Sequence, residues 1–473
     1  QGAPRAYQWR SWVTPPIASP LTMALGTLWM SCEGIWRGCG DIVIGANDMN
    51  KARAFNQYLC AATDRMKELV AEVQTQVEGY EAYYGNRKRA RRATDQITFE
   101  RTIEAIICDL CAVEIDQYND SIHLPLSNKT LRSKSRYKGT ALGKTLPDII
   151  KVMEAPEMAF VIVEKGHSKF QIIDDDLNVQ MVGGQQTVLR AGPKLLSRIE
   201  RFAINRADLG YAADEEVLIL RAPKRHAGSA AQNQEYEDDE MTITLRSQIA
   251  NINAWLGDAD ITCGQTQRNS RDRRLRRIFN NSDFGQGGRL YGGFWQGMSS
   301  DERQEHIQID DDCCVELDYG QMSIALLYGL TSTTPPEGDL YDLSAEGIPT
   351  QYRKGVKTVI QALINSNKVP TRMPKGVRDH LPTAYSIRDV LSAVSKKHST
   401  IYPKMIAGIG MQLFRKESDI LVEVLLALKA EGIVALPIHD AVVVSDDKHQ
   451  EATEIMKRVF KDHTGITPEV SLG

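Results

Sequence analysis

Asp440 stands between two apolar stretches in "GIVALPIHDAVVVSDD" (432–447). A carboxylate is costly to bury without a partner. Kept between "IVALPI" and "AVVV", it is a satisfied structural group, a cation ligand or a catalytic one. A divalent cation usually draws on more than one carboxylate. Asp318 offers a second in a matching setting, "CCVELDYGQMSIALLYGL" (313–330), at the end of a short apolar run. Between them, "YRKGVKTVIQALINSNK" (352–368) puts Arg353, Lys357, Gln361 and Asn365 at four-residue intervals. If helical, these form one polar stripe, with Val356, Val359, Ile360 and Leu363 elsewhere on the surface. Arg holds phosphate oxygens bidentately, and Lys adds a compact charge and a transferable proton. Each feature alone has an ordinary reading, a satisfied aspartate or a solvated helix face. Together they equip a site for in-line phosphoryl transfer, with two aspartates for two metal ions and a cationic helix for a triphosphate.

Positioning these groups requires particular elements. "CVEL" reads as a short buried strand ending at Asp318. A turn follows, then the helix "QMSIALLYGL", whose first turn would set backbone N–H groups beside the aspartate, a favourable place for phosphate. "PIHDAVVV" is predicted to be a β-hairpin turning at His439–Asp440. Further upstream, residues 50–118 carry helical periodicity, and 244–258 ("TLRSQIANINAWLGD") is an amphipathic helix. Strands are predicted within 158–182 and 215–223, with the acidic residues at 173–176 as a turn. Residues 224–240, polar and small and ending acidic, read as a linker or mobile loop. No internal repeat is evident.

These stretches resemble, in order, the motifs of the family A polymerase superfamily, which includes DNA polymerase I-like enzymes and single-subunit phage and mitochondrial RNA polymerases. "GGRLYGG" (287–293) is similar to its glycine-arginine motif, "LDYGQMSIALLYGL" to its first palm motif and "RKGVKTVIQALINS" to its fingers helix. "MQLFRKESDILVEVLLALKAEGI" (411–433) is similar to the long palm helix, and "IHDAVVV" to the second palm motif. The resemblance spans roughly 244–460. It implies an α+β right-hand fold with an antiparallel-sheet palm (244–330 and 406–473), compact helical fingers (331–405) and a mostly helical N-terminal region serving as thumb. The domains expected on this basis are a helical region at 1–145, an α/β segment at 146–243 ending in the acidic linker, and the polymerase core at 244–473.

The resemblance also implies roles. Asp318 and Asp440, with the Tyr319 carbonyl, would hold two Mg²⁺ ions, Mn²⁺ being an alternative. Arg353 would bind the outgoing phosphates, and Lys357 would bind the triphosphate and act as general acid. Gln361 and Asn365 would face the incoming nucleotide. Arg289, Gln412 and His439 would contact the primer end or the template minor groove. The partners implied are a nucleic-acid primer–template and nucleoside triphosphates.

The sequence departs from the family at several positions. Ser323 stands where the DNA enzymes place a Glu that blocks a ribose 2′-OH, which predicts relaxed sugar selection. Gln361 and Asn365 replace aromatic or bulky residues. Ala441 follows Asp440 where DNA enzymes carry Glu and RNA enzymes Ser. The stretch from Lys357 to Asp440 is short for the family. "GGRLYGG" leans toward the RNA enzymes and "DYGQM" toward the DNA enzymes. DNA synthesis is favoured, with a single-subunit RNA polymerase or primase-like enzyme as the alternative. Readings of other classes are a non-catalytic nucleic-acid-binding subunit and a two-carboxylate nuclease on another fold.

Composition sets the bounds. The chain has 473 residues, 42% apolar and 25% charged, enough for two or three domains. Net charge is -4, so the chain as a whole is not a basic nucleic-acid binder. Local clusters matter more than net charge, and "RNSRDRRLRR" (268–277) lies just upstream of Arg289. Arg274 and Arg277 are therefore candidates for backbone binding. "NRKRARR" (86–92) is a second basic run. Eight cysteines are scattered, and the one CxxC, Cys108 and Cys111, reads as buried thiols in a helix rather than a metal site. This suggests a reducing intracellular compartment, cytoplasmic, nucleoid-associated or within a phage-infected cell. Residues 11–32 are uncharged, but Pro15, Pro16 and Pro20 argue against a membrane span. The chain opens on Gln1, so the natural N-terminus is expected upstream. No exonuclease signature is evident in the first 235 residues.

Overall fold

The computed structural model describes residues 52–85, 89–172, 179–226, 229–264, 269–366 and 368–473. The prolines at 15–20, the stretch 86–88 and the acidic turn at 173–176 lie outside them. The described chain mixes helices and sheets around two hydrophobic cores. Among the described residues no helix is long and apolar enough to cross a membrane.

The first core runs from Leu59 to Ile204. Its centre is the helix Ala93–Asp116, buried on nearly all sides from Phe99 to Val113. Such a helix reads as continuously apolar rather than striped. Helix Asp64–Tyr83 packs on it through Met66, Leu69, Val73 and Val77, with Thr63 capping its first turn. A four-stranded sheet, ordered Ala52–Ala54, Ser121–Leu124, Thr187–Ala191, Val161–Glu164, completes the unit. Residues 52–145 are mostly helical, and the strands Val161–Glu164 and Thr187–Ala191 lie beyond them. Short β-branched runs such as "VIVE" and "TVLRA" pair into the sheet. The expected border at 145/146 also falls inside this core, because Leu146, Ile149 and Met153 pack with Ile103 and Ile107.

The second core runs from Val217 to Phe460. The stretch 224–240 does not hang free between the two. Tyr137 donates its hydroxyl to the Gln234 carbonyl at 2.7 Å, and Arg136 pairs with Glu216 and Asp238 at 2.9 and 2.8 Å. Its described residues are irregular and mostly exposed, with Asp238 the one that pairs with Arg136.

The central sheet of the second unit is antiparallel, in the order Ile261–Cys263, Ile307–Ile309, Asp312–Tyr319, Ala441–Ser445, Ala435–Ile438. Val470–Leu472 pairs with the far end of Asp312–Tyr319. Helices Met322–Leu330, Gly410–Ala430 and His449–Thr464 pack together beside the sheet. A smaller sheet, Leu218–Leu220, Arg276–Asn280 and Asp283–Tyr291, lies along Gly410–Ala430.

Candidate active site

The predicted hairpin is present. Ile438 pairs with Ala441, leaving His439–Asp440 as a two-residue turn, with His439 at φ 55°. The hairpin is anchored from outside, since the buried Trp295 donates its indole N–H to the Pro437 carbonyl at 2.9 Å. Next to it, Asp318 pairs across the ladder with Ala441. This register delivers Asp318 and Asp440 to the same end of the sheet. Both carboxyls are half-buried, and burial drives both pKa values upward. Asp318 is pushed to about 7, by burial first and then by Asp440, against the pull of Lys357. Arg289 and Lys357 partly offset the rise at Asp440. The side chain of Tyr319 points away, donating its hydroxyl to the Met456 carbonyl at 2.7 Å. Any contribution from Tyr319 would thus come from its backbone oxygen.

Two crowded carboxylates of this kind fit hard divalent cations, which relieve their repulsion. Among the described residues no group of three or more His, Cys, Asp or Glu forms a ready cage. Mg²⁺ is commonly held by one or two carboxylates together with substrate phosphates.

The cationic stripe lies on the helix Arg353–Ile364, whose Val356, Val359, Ile360 and Leu363 are buried. Arg353, Lys357 and Gln361 converge on one ring that the sequence reading missed, Tyr341. The Arg353 guanidinium and Lys357 ammonium lie 5.3 and 5.8 Å from its centroid, and the Gln361 amide is 3.0 Å from its hydroxyl. Arg353 is also paired with Asp339. Lys357 is exposed. The segment carrying Asp339 and Tyr341 is tied to the Asp318 turn, because the Gln321 side chain accepts from the Leu340 N–H at 2.5 Å. His398 holds it from behind, bonded to the Leu340 carbonyl at 2.8 Å and the Tyr328 hydroxyl at 2.9 Å. "GDLYDL" has no periodicity; its aromatic residue between two carboxylates was the available signal. Asn365 ends the stripe, donating to the Gln361 carbonyl at 2.8 Å. It packs so closely that a Cβ at Gly410 would fall 2.2 Å from its Oδ1. Ser323 is half-buried in the first turn of Met322–Leu330.

Arg289 follows Gly287 and Gly288, at φ 81° and 86°, where the ladder with Arg276–Asn280 is irregular. Only glycine takes such angles readily. Arg289 donates to Glu417 at 2.7 Å, and its guanidinium lies 4.0 Å from the Phe414 ring centroid. Glu417, only 2% exposed, is pushed up to about 7 by burial, against Arg289, with Asp440 and Asp318 adding to the rise. It was missed because "FRKESDI" reads as a solvated helix face until Asp283–Tyr291 covers it. His439 is held down to about 4, by burial first and then by Arg289 and Arg303, and its Nδ1 is buried without a partner. Gln412 is exposed, lining a groove of about 380 Å³ with Lys404, Arg415 and Lys416.

The basic run requires a correction. Arg277 has no exposed surface; it bonds to the Gly288 carbonyl at 2.8 Å, to Ser418 at 3.1 Å and to Asp419 at 2.6 Å. It braces the glycine bulge against Gly410–Ala430 and presents nothing to a phosphate. Arg274 is paired with the buried Glu215 and stacked 4.6 Å from the Tyr211 centroid. It shares that carboxylate with Arg276, at 2.6 Å from Glu215. In the other run, Arg91 lies 3.5 Å from the Phe99 centroid and pairs with Glu81 at 2.5 Å. Cys108 and Cys111 are buried thiols, the pKa of each pushed well up by burial.

No family model matches the chain, and no curated protein matches it. Among solved structures it is similar to the "POL domain of Pol1 from M. smegmatis complex with DNA primer-template and dNTP". Identity is 10%, over 88% of this chain and 66% of that one, with a TM-score of 0.31. A likeness of that size transfers no role from one chain to the other.

Proposed function

We propose that this chain is a template-directed nucleotidyltransferase that extends a nucleic-acid primer from nucleoside triphosphates. The observation that carries the reading is the ladder register that sets Asp440 beside Asp318, within the field of Lys357. On this reading, residues 244–330 and 406–473 act as palm and 331–405 as fingers. Asp318, Asp440 and the Tyr319 carbonyl would hold Mg²⁺ or Mn²⁺, which when bound would acidify the attacking hydroxyl and neutralise phosphate charge.

The remaining work falls to the chain's own groups. The primer 3′-hydroxyl loses its proton to solvent, its oxygen bonds to the α-phosphorus, the bond to the bridging oxygen breaks, and pyrophosphate leaves. Lys357 supplies a proton to that leaving group. Arg353 exchanges Asp339 for phosphate oxygens. His439 and Arg289 face the primer end. DNA is the favoured product, and Ser323 favours acceptance of ribonucleotides as well, keeping RNA or primase-like synthesis as the second reading.

A labelled primer–template with Mg²⁺ and each nucleotide set tests the proposal. Extension by the wild type and its loss in Asp440→Ala are expected. Shortening of the primer would indicate a nuclease, and retention without change a binding module. Normal extension by Asp440→Ala would overturn the reading.

A further inference from the structure

Asp440 has a competitor for its oxygens. Arg289 is the cation that acts on it most strongly. An arginine beside an aspartate ordinarily settles into a bidentate pair, which would occupy the atoms a metal needs. Ala441, next along the hairpin, offers no substitute carboxylate. Yet the Arg289 hydrogen bond goes elsewhere. Its Nε donates to Glu417 at 2.7 Å, and Phe414, from the same helix, stacks on the guanidinium at 4.0 Å. The strand that carries Arg289 lies close to the turn, because the ring of Tyr291 is 6.3 Å from that of His439.

Resting on the polymerase reading above, we propose that Glu417 is a positioning residue that diverts Arg289 from Asp440 and so keeps the Asp440 carboxylate open for a divalent cation. Two restraints act on one guanidinium. Glu417 fixes its Nε edge, and Phe414 fixes its plane. Burial strengthens the arrangement, since Glu417 is 2% exposed and water screens the pair little. A Glu at this site does what an apolar residue would not. It satisfies a largely buried cation that would otherwise take the nearest carboxylate.

The test is Mn²⁺ binding to the full chain, followed by electron paramagnetic resonance without nucleic acid or nucleotide. Glu417→Gln is expected to weaken binding about tenfold, the size of effect typical of groups that support a metal ligand. Glu417→Asp, which keeps the charge with a shorter reach, should fall in between, and it decides the matter if the Gln variant does not fold. Adding Arg289→Met to Glu417→Gln should restore affinity, because the competing cation is gone. A merely structural Glu417 would lower the melting temperature and leave Mn²⁺ affinity unchanged, which would overturn the inference. Failure of the double variant to recover would overturn it as well. Asp440→Asn separates this from the broader reading. If it abolishes Mn²⁺ binding while Glu417→Gln does nothing, the Glu417 inference alone falls. If it too changes nothing, the metal centre falls with it.

Discussion

Arg353 is paired with Asp339, its Nη2 standing 3.2 Å from the Asp339 Oδ1, while its guanidinium carbon lies 5.3 Å from the centre of the Tyr341 ring. The cation best placed to receive a triphosphate is already held by an internal anion. Both side chains are partly exposed, so the pair is weak enough to exchange.

Asp339→Asn should therefore lower the KM for nucleoside triphosphate by about threefold, the range of a partly exposed ion pair, with kcat unchanged. Steady-state primer extension measures this. A rise in KM would mean that Asp339 positions Arg353 instead of competing for it.

The His398 contacts predict an acid sensitivity. Burial holds its pKa down from 6.5 to about 4, so the folded state favours the neutral ring. The stability it contributes is complete above about pH 6.5 and is lost as pH falls through that value toward about pH 4, to a total of roughly 3 kcal/mol. Melting curves from pH 7.5 to 4.5 should show a steeper acid loss in wild type than in His398→Asn. Parallel curves would contradict this.

Arg277→Ala should behave as a core mutation. Removing the guanidinium leaves a void and takes one donor from the Gly288 carbonyl and from Ser418, which stay bonded to each other, while Asp419 keeps its Arg415 partner. The expected cost is about 2–3 kcal/mol, below that of fully orphaning a buried charge. Urea denaturation measures it. The salt slope of nucleic-acid binding should stay at the wild-type value; a flatter slope would place Arg277 on the backbone path after all.

On the proposed function, sugar selection turns on Ser323. Wild type should incorporate ribonucleotides and deoxyribonucleotides at rates within about tenfold of one another, since one hydroxyl contact is worth on the order of 1 kcal/mol. Ser323→Glu should suppress ribonucleotide use selectively. Competition between the two sets of triphosphates checks both, and strong rejection of ribonucleotides by wild type would refute the reading.

The parts of the site legible in the sequence share one property: local pattern and burial agree there. The Asp440 hairpin shows as apolar runs around a charged turn, and Arg353–Ile364 as a four-residue stripe over an apolar face. Tyr341, Asp339 and Glu417 were hidden because tertiary contacts alone give them meaning. Tyr341 sits in an aperiodic loop that the Gln321 side chain and His398 hold in place. Glu417 looks solvated until a strand covers it. The basic run failed for the opposite reason. Clustered arginines look like a surface, yet Arg277 is spent inside, bridging two elements about 140 residues apart in sequence. The N-terminal sheet was underestimated because its strands are short and its pairings non-local.

The pairing of Ala441 with both Ile438 and Asp318 makes the hairpin a ruler. With only two residues in the turn there is no slack, and side chains alternate sides at every step. One residue inserted within either strand of the hairpin would carry Asp440 off its mark or turn every side chain beyond the insertion to the opposite face. This stretch can therefore exchange side chains over time far more easily than it can change length.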